Sequence, residues 1–273
     1  MATLPPPLPP GGPKDGRDPW PAPERTVLRS KTGEGESTPQ ALAASRAEEA
    51  LAAKIDTSAY TCIQDLETLQ RWCDEAIETG IVAFDTETNS LDVMQADMVG
   101  FSLALAPGKA CYVPLLHQTG NGDLLGGGLV EGQIKLADAL RILKPMLEHP
   151  AVLKIGQNVK FDWHMFNLLG IAVAPFDDTM LMSYALDAGV TGQGMDALSE
   201  TFLGHKPISF KSLTGTGKGK VTFDQVPLVE ATAYAAEDAD VTLRLWRVLK
   251  PRLAAEGMTS VYERLERPLV DVI

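Results

Sequence analysis

The chain is poor in cysteine and histidine, and the few it has are scattered along 273 residues. Cys62, Cys73 and Cys111 are an odd set with no C-x-x-C spacing, and the four histidines lie far apart. Neither a disulfide framework nor a zinc site is indicated, and the thiols read as core residues. No apolar run reaches the roughly 18 residues that a membrane-spanning helix needs, so no membrane partner is expected. The N-terminus lacks the basic-then-apolar plan of a signal peptide, which makes the cytoplasm the expected compartment. Phosphate-binding loops are missing too. Residues 215–220 (GTGKGK) lack the G-x-x-x-x-G-K-S/T spacing, and no G-x-G-x-x-G follows a strand.

Positive charge is also short, with 24 Lys and Arg against 36 Asp and Glu and a net charge of −12. A protein that grips nucleic-acid duplex alone carries a basic patch, so this balance argues against a stand-alone duplex binder. It leaves open an enzyme that holds a few nucleotides through metal ions, or one whose partner domain supplies the duplex groove.

What is present divides in two. Residues 1–55 carry a proline cluster (Pro5, Pro6, Pro7, Pro9, Pro10, Pro13, Pro19, Pro21, Pro23) and then a Gly/Ser/Glu stretch at 31–37. Such a composition buries too little apolar surface to offset its ordering entropy, so a disordered tail or linker is expected. A polyproline ligand is the alternative, and 41–54 is expected to be at most transiently helical. From Asp56 onward the pattern is that of a folded domain. Leu66, Leu69, Trp72, Cys73, Ala76 and Ile77 follow helical spacing between a capping Asp65 and a closing Gly80. Strands are expected at 81–85, 98–105, 110–114 and 151–155. Helices are expected at 134–148, 159–169, 178–187, 196–203 and 228–256, the last bent near Pro251, with loops at 120–132 and 212–220. Periodicity alone supports only an α/β class. The element order suggests a mixed sheet flanked by helices, compatible with a ribonuclease H-like fold.

Three constellations carry chemistry. Asp85 and Glu87 end an apolar strand and project on one side, about 6.6–6.8 Å apart. Two such charges 4 Å apart repel by about 4 kcal/mol at an effective dielectric of 20, which a divalent metal would remove. Solvated strand-end acids are the plainer reading. Asn158 and Asp162 lie one turn apart where a strand runs into a helix, and could equally be an N-cap and a first-turn acid. Tyr234 and Asp238 share a face of the long helix, where most tyrosines are simply core.

Taken in this order, D-x-E on a strand, N-x-x-x-D at a strand-to-helix junction and Y-x-x-x-D in a C-terminal helix resemble the three motifs of the proofreading exonuclease superfamily. The tyrosine marks the branch used by family A DNA polymerases. Residues 82–91, 99–105, 154–162, 176–186, 195–203, 221–225 and 234–245 look like the exonuclease domain of bacterial DNA polymerase I. Residues 263–272 look like the segment leading into its polymerase domain. The resemblance covers 56 to the C-terminus, dividing into an exonuclease domain at 56–257 and the start of that connecting segment at 258–273.

The resemblance implies a 3′→5′ exonuclease with two divalent ions, Mg²⁺ or Mn²⁺, held by Asp85, Glu87, Asp162 and Asp238. Tyr234 matches the tyrosine that orients the attacking water. Leu91, Asn158 and Phe223 match positions that contact the terminal nucleotides, with Lys211, Lys218 and Lys220 expected near backbone phosphates. Phe161 departs from the usual tyrosine. The implied substrate is a single-stranded or frayed 3′ end of DNA. The implied partner is a polymerase domain of the same or a neighbouring polypeptide, the chain otherwise being a monomer. A ribonuclease D-like RNA exonuclease would use the same acids and tyrosine. A catalytically inactive structural module is disfavoured because all four acids are present. Asp240, about 200° round the helix from Asp238, is expected to point away toward solvent or a structural partner. Asp177-Asp178 reads as a helix cap.

Overall fold

A six-stranded mixed sheet organises the computed structural model, which describes residues 38–119, 128–190 and 192–272. The proline-rich part of the expected tail and most of the 120–132 loop lie outside these residues. The central strand β2 (Ile81–Thr88) pairs antiparallel with β3 (Met98–Ala106) and parallel with β5 (Leu153–Gly156). Outside β3 lie β4 (Lys109–Pro114), antiparallel to it, and the two-residue edge strand β1 (Thr61–Cys62), parallel to β4. A three-residue β6 (Phe176–Asp178), parallel to β5, closes the other edge. The four longer strands follow the expected hydrophobic runs, whereas β1 and β6 are too short to leave a periodic signal.

Alternation along β2 divides its side chains between two cores. Val82 and Phe84 face one side, with Leu69 and Cys73 of α2 (Leu66–Thr79), Leu143 and Met146 of α3 (Leu136–Leu147) and Phe166 of α4 (Lys160–Leu168). Ala83 faces the other side. There Ala83, Ala104 and Ala110 of the sheet meet Ala236 and Ala239 of the 28-residue helix Leu228–Ala255. Methyl against methyl lets this helix lie close on the strand ends. Its far side packs Val241, Leu245, Val248 and Leu249 against Met182 of α5 (Thr179–Asp187) and Leu198 and Leu203 of α6 (Met195–Leu203). The helix therefore lies between the sheet and these two helices. Among the described residues no helix is long and apolar enough to cross a membrane.

Two segments differ from expectation. Residues 39–52 form a helix, α1 (Pro39–Ala52), capped by Thr38 and packed through Ala47 and Ala50 onto the core around the long helix. The folded unit thus begins before Asp56, and its start was hidden because alanine gives a weak apolar stripe. The expected Gly/Lys loop holds a short helix, α7 (Phe210–Thr214), capped by Ser209, and a 3₁₀ turn at Gly217–Gly219. The long helix, now α8, continues through Pro251 to Ala255. The segment after it returns to the core through Tyr262, which is fully buried. Its hydroxyl donates to Asp177 Oδ1 (2.9 Å) and accepts the Asp178 N–H (2.9 Å).

Asp240 is fully buried and takes the structural alternative, not the solvent one. Its carboxylate accepts from Tyr60 Oη (2.9 Å), the Gly108 N–H of the β3–β4 turn (2.9 Å) and Arg244 Nε (3.1 Å). It ties α8 to the sheet at the end remote from Tyr234. Removing one partner of a buried ion pair leaves the other charge uncompensated, so Asp240→Ala should cost about 3–5 kcal/mol in urea unfolding. A loss below about 1 kcal/mol, the usual figure for an exposed pair, would overturn this role.

Candidate metal centre

Strand parity places Asp85 and Glu87 on the α8 side of the sheet, opposite Ser102 and Gly100 of β3. Gly100 is needed there: a Cβ on it would lie 2.2 Å from the hydroxyl of Tyr112. Helical spacing aims Tyr234 and Asp238 of α8 at the same strand end. One carboxylate oxygen each from Asp85, Glu87 and Asp238 lies within 4.8 Å of the others. Asp162, in the first turn of α4, approaches from the far side and accepts hydrogen bonds from the Thr86 N–H (2.9 Å) and the Thr86 hydroxyl. Asp85, Glu87, Asp162, Tyr234 and Asp238 line one open cavity of about 380 Å³.

The electrostatics of this cluster are uncompensated. Glu87, Asp162 and Asp238 are buried, and Asp85 is partly so. Burial pushes all four carboxyls well above the usual carboxylate range, and neighbouring acids push them further. For Asp85 that neighbour is Asp238; for Glu87 it is Asp85 and then Asp238; for Asp162 it is Asp85. Hydrogen bonds from Thr86 to Asp85 and Asp162, from the Asp162 backbone to its own carboxylate and from Tyr234 to Asp238 oppose the trend. No Lys or Arg pairs with any of the four among the described residues, and Glu87 Oε1 is buried without a hydrogen-bond partner. A set of hard oxygen donors with an orphaned oxygen and no protein cation fits a divalent metal ion. Burial and the nearby carboxylates raise the Tyr234 hydroxyl far above its ordinary pKa, so it is a neutral group bonded to Asp238.

The nucleotide-contact residues divide. Leu91 stands at the mouth of the cavity, 95% exposed. Asn158 lines it, but not as an N-cap. That place is taken by Val159, and Asn158 is the one non-glycine residue with positive φ (58°) among the described residues. Its N–H and that of Val159 donate to the Asp178 carboxylate (3.1 and 2.9 Å), which also caps α5 through Met180 N–H (2.8 Å). Burial lifts the Asp178 carboxyl to about 6. Asp177 is no cap. It is fully buried, taking hydrogen bonds from Tyr262, Trp246 Nε1 (2.8 Å) and Lys250.

Phe223 does not line the cavity. It is 1% exposed, walled in by Tyr112, His117, Phe210 and Tyr234. The ring that reaches the cavity is Phe210, stacked on Phe223 with centroids 6.2 Å apart and edge-on to Tyr234 at 6.0 Å. Phe223 is thus a support, and Phe210 is the residue that sequence reasoning passed over. Its signal was an aromatic set between serine and lysine, outside any apolar periodicity.

Comparison with known proteins places this geometry. Residues 60–254 match a protein-family model described as 3′-5′ exonuclease. The chain is 54% identical over 281 residues to DNA polymerase I of Rhizobium leguminosarum, covering 100% of this chain and 28% of that protein. It is 41% identical over 234 residues to DNA polymerase I of Pseudomonas aeruginosa, covering 83% of this chain and 24% of that one. The chain therefore spans about a quarter of the length of these curated relatives. The solved structure of Escherichia coli RNase D, an exoribonuclease involved in structured RNA processing, superimposes with a TM-score of 0.59 at 18% identity. That match covers 78% of this chain and 50% of the other, and it identifies the fold as the ribonuclease H-like α/β architecture.

The crowded acids have a thermodynamic signature. Each binds its proton more tightly folded than unfolded, so without metal the folded state loses stability as pH rises above about 4, the unfolded carboxylate value. Glu87→Gln should therefore stabilise the metal-free protein at pH 8 by roughly 0.5–2 kcal/mol, with the gain shrinking toward pH 5. Urea titrations in EDTA at both pH values measure it. An unchanged or lower midpoint at pH 8 would contradict the electrostatic reading.

Proposed function

The chain belongs to the 3′-5′ exonuclease family, and on that premise we propose that it removes nucleoside 5′-monophosphates from 3′ ends of DNA at a two-metal site. The observation that carries this reading is the convergence of Asp85, Glu87, Asp162 and Asp238 on one cavity without a protein cation. Ionised, the four carry about −4, which two Mg²⁺ or Mn²⁺ ions would balance. When bound, such a pair supplies electrostatic stabilisation of both the attacking and the leaving oxygen of an in-line phosphodiester displacement.

The chain's own residues do the rest. Tyr234 stays protonated and hydrogen-bonds to Asp238, so it orients a water molecule without acting as a base. That water gives up one proton to solvent as its oxygen joins the phosphorus, the bond from phosphorus to the 3′ oxygen of the preceding nucleotide breaks, and that oxygen takes up a proton from solvent. The products are a nucleoside 5′-monophosphate and a strand one residue shorter. Phe210 and Leu91 offer apolar surface to unstacked bases, which favours single-stranded or frayed ends. Asn158 presents its side chain at the same wall.

DNA is favoured over RNA by the 54% and 41% identities to proteins named DNA polymerase I. We infer a proofreading role beside a polymerase domain, in the same or a neighbouring polypeptide.

Asp162→Ala or Asp238→Asn should abolish release of mononucleotides, a loss of at least about 10²-fold, with the far-ultraviolet circular dichroism unchanged. Excess EDTA should do the same to the unmodified chain. Full activity in either variant, or in EDTA, would rule out the metal site. Substrate class is read by comparing single-stranded DNA, blunt duplex DNA and single-stranded RNA of one sequence. The single-stranded DNA should be degraded fastest, and a clear preference for RNA would move the protein to a ribonuclease D-like activity.

A further inference from the structure

Glu237 is a buried carboxylate that the metal cluster does not use. It is 1% exposed and stands next to Asp238 on α8, about 100° round the helix, so it faces a different neighbour. That neighbour is the segment between α6 and α7. Glu237 Oε2 accepts the Ile208 N–H at 2.6 Å, and Oε1 meets His205 Nε2 at 2.8 Å. The same segment is held from behind by Ser199, whose hydroxyl donates to the His205 carbonyl at 2.9 Å. Two residues beyond Ile208 lies Phe210, the ring that walls the cavity. A buried charge is costly unless its hydrogen bonds are met, and here both oxygens are committed to one stretch of backbone and one side chain.

We propose that Glu237 is a positioning residue for the exonuclease substrate: by anchoring residues 205–208 to α8, it sets where Phe210 meets the terminal base. One turn of one helix would then hold both Asp238, which faces the scissile phosphate, and the anchor of the aromatic platform. Base and phosphodiester are thereby kept in register by a single rigid element. This inference rests on the function proposed above.

The test is a double-substitution cycle in the full chain, scored as kcat/KM for a single-stranded DNA oligonucleotide with Mn²⁺. Phe210→Ala and Glu237→Ala should each lower kcat/KM by about tenfold, since misplacing a substrate by an ångström can cost as much or more. The double variant should be no worse than about either single one, because Glu237 acts through Phe210. Glu237→Gln keeps an acceptor for the Ile208 N–H and should recover activity to within about threefold of the unmodified chain. Effects that multiply to about a hundredfold, or an unaltered kcat/KM in Glu237→Ala, would overturn the proposal. If Glu237→Ala does not fold, His205→Ala paired with Phe210→Ala runs the same cycle without touching α8. Failure of the unmodified chain to release mononucleotides from DNA would instead defeat the function itself.

Discussion

Four carboxylates held together without a cation are the constraint on which the rest of this molecule turns. Left to themselves they would separate or take up protons, so the fold must supply rigidity where it supplies no countercharge. The treatment of the other buried acids shows the contrast. Asp240 has Tyr60, Gly108 and Arg244; Asp177 has Tyr262, Trp246 and Lys250; Asp178 has four backbone N–H groups; Glu237 has His205 and Ile208. Each of these satisfied acids ties together segments that are distant in sequence, and those of Asp178 and Glu237 lead directly to Asn158 and toward Phe210 on the cavity wall. Within the cluster, Glu87 keeps a buried oxygen without a partner, at the place where a hard cation would be bound. Stability is given up locally and recovered in the struts around it, the expected pattern for a functional site.

The cavity wall shows the same division of labour. Asn158 occupies a left-handed conformation that asparagine tolerates better than most residues, and Asp178 holds it there through two backbone N–H groups. Phe210 is backed by Phe223, which in turn rests against Tyr112 and His117, and Gly100 leaves room for the Tyr112 ring. His117 closes this layer, one ring nitrogen 2.8 Å from Tyr112 Oη and the other 3.0 Å from the Val226 carbonyl. Burial lowers the pKa of that imidazole, which suits an uncharged bridge between two neutral groups.

Much of this was legible in the sequence, for reasons that can be named. Period-two alternation put Asp85 and Glu87 on one face, and the four-residue step put Tyr234 and Asp238 on one face. Both follow from backbone geometry alone, and the structure brings these residues together as that geometry requires. Asp162 needed the motif order as well, because nothing local separates it from an ordinary first-turn acid. What escaped was whatever depends on three-dimensional neighbours. Phe223 and Phe210 are both aromatics near the end of the domain, and only packing decides which is buried. Asn158 reads as a cap until its φ is known. The helix at 39–52 carries alanine where a stronger apolar stripe would have announced burial, and β1 and β6 are too short to show a period.

The alanine seam between α8 and the sheet bears on how this protein can vary. Ala83, Ala104, Ala110, Ala236 and Ala239 meet beside Ile155 and Leu243, methyl groups standing where larger side chains would hold the two backbones apart. A bulkier side chain at these fully buried positions would press the helix off the sheet and carry Asp238 away from Asp85 and Glu87. Substitutions at these apolar neighbours of the acids, with no polar atom involved, would therefore behave like changes to the acids themselves. A map of tolerated mutations should show this seam as dark as the motifs. Drift over generations, free on the outer helices, would be held at these five smallest of side chains.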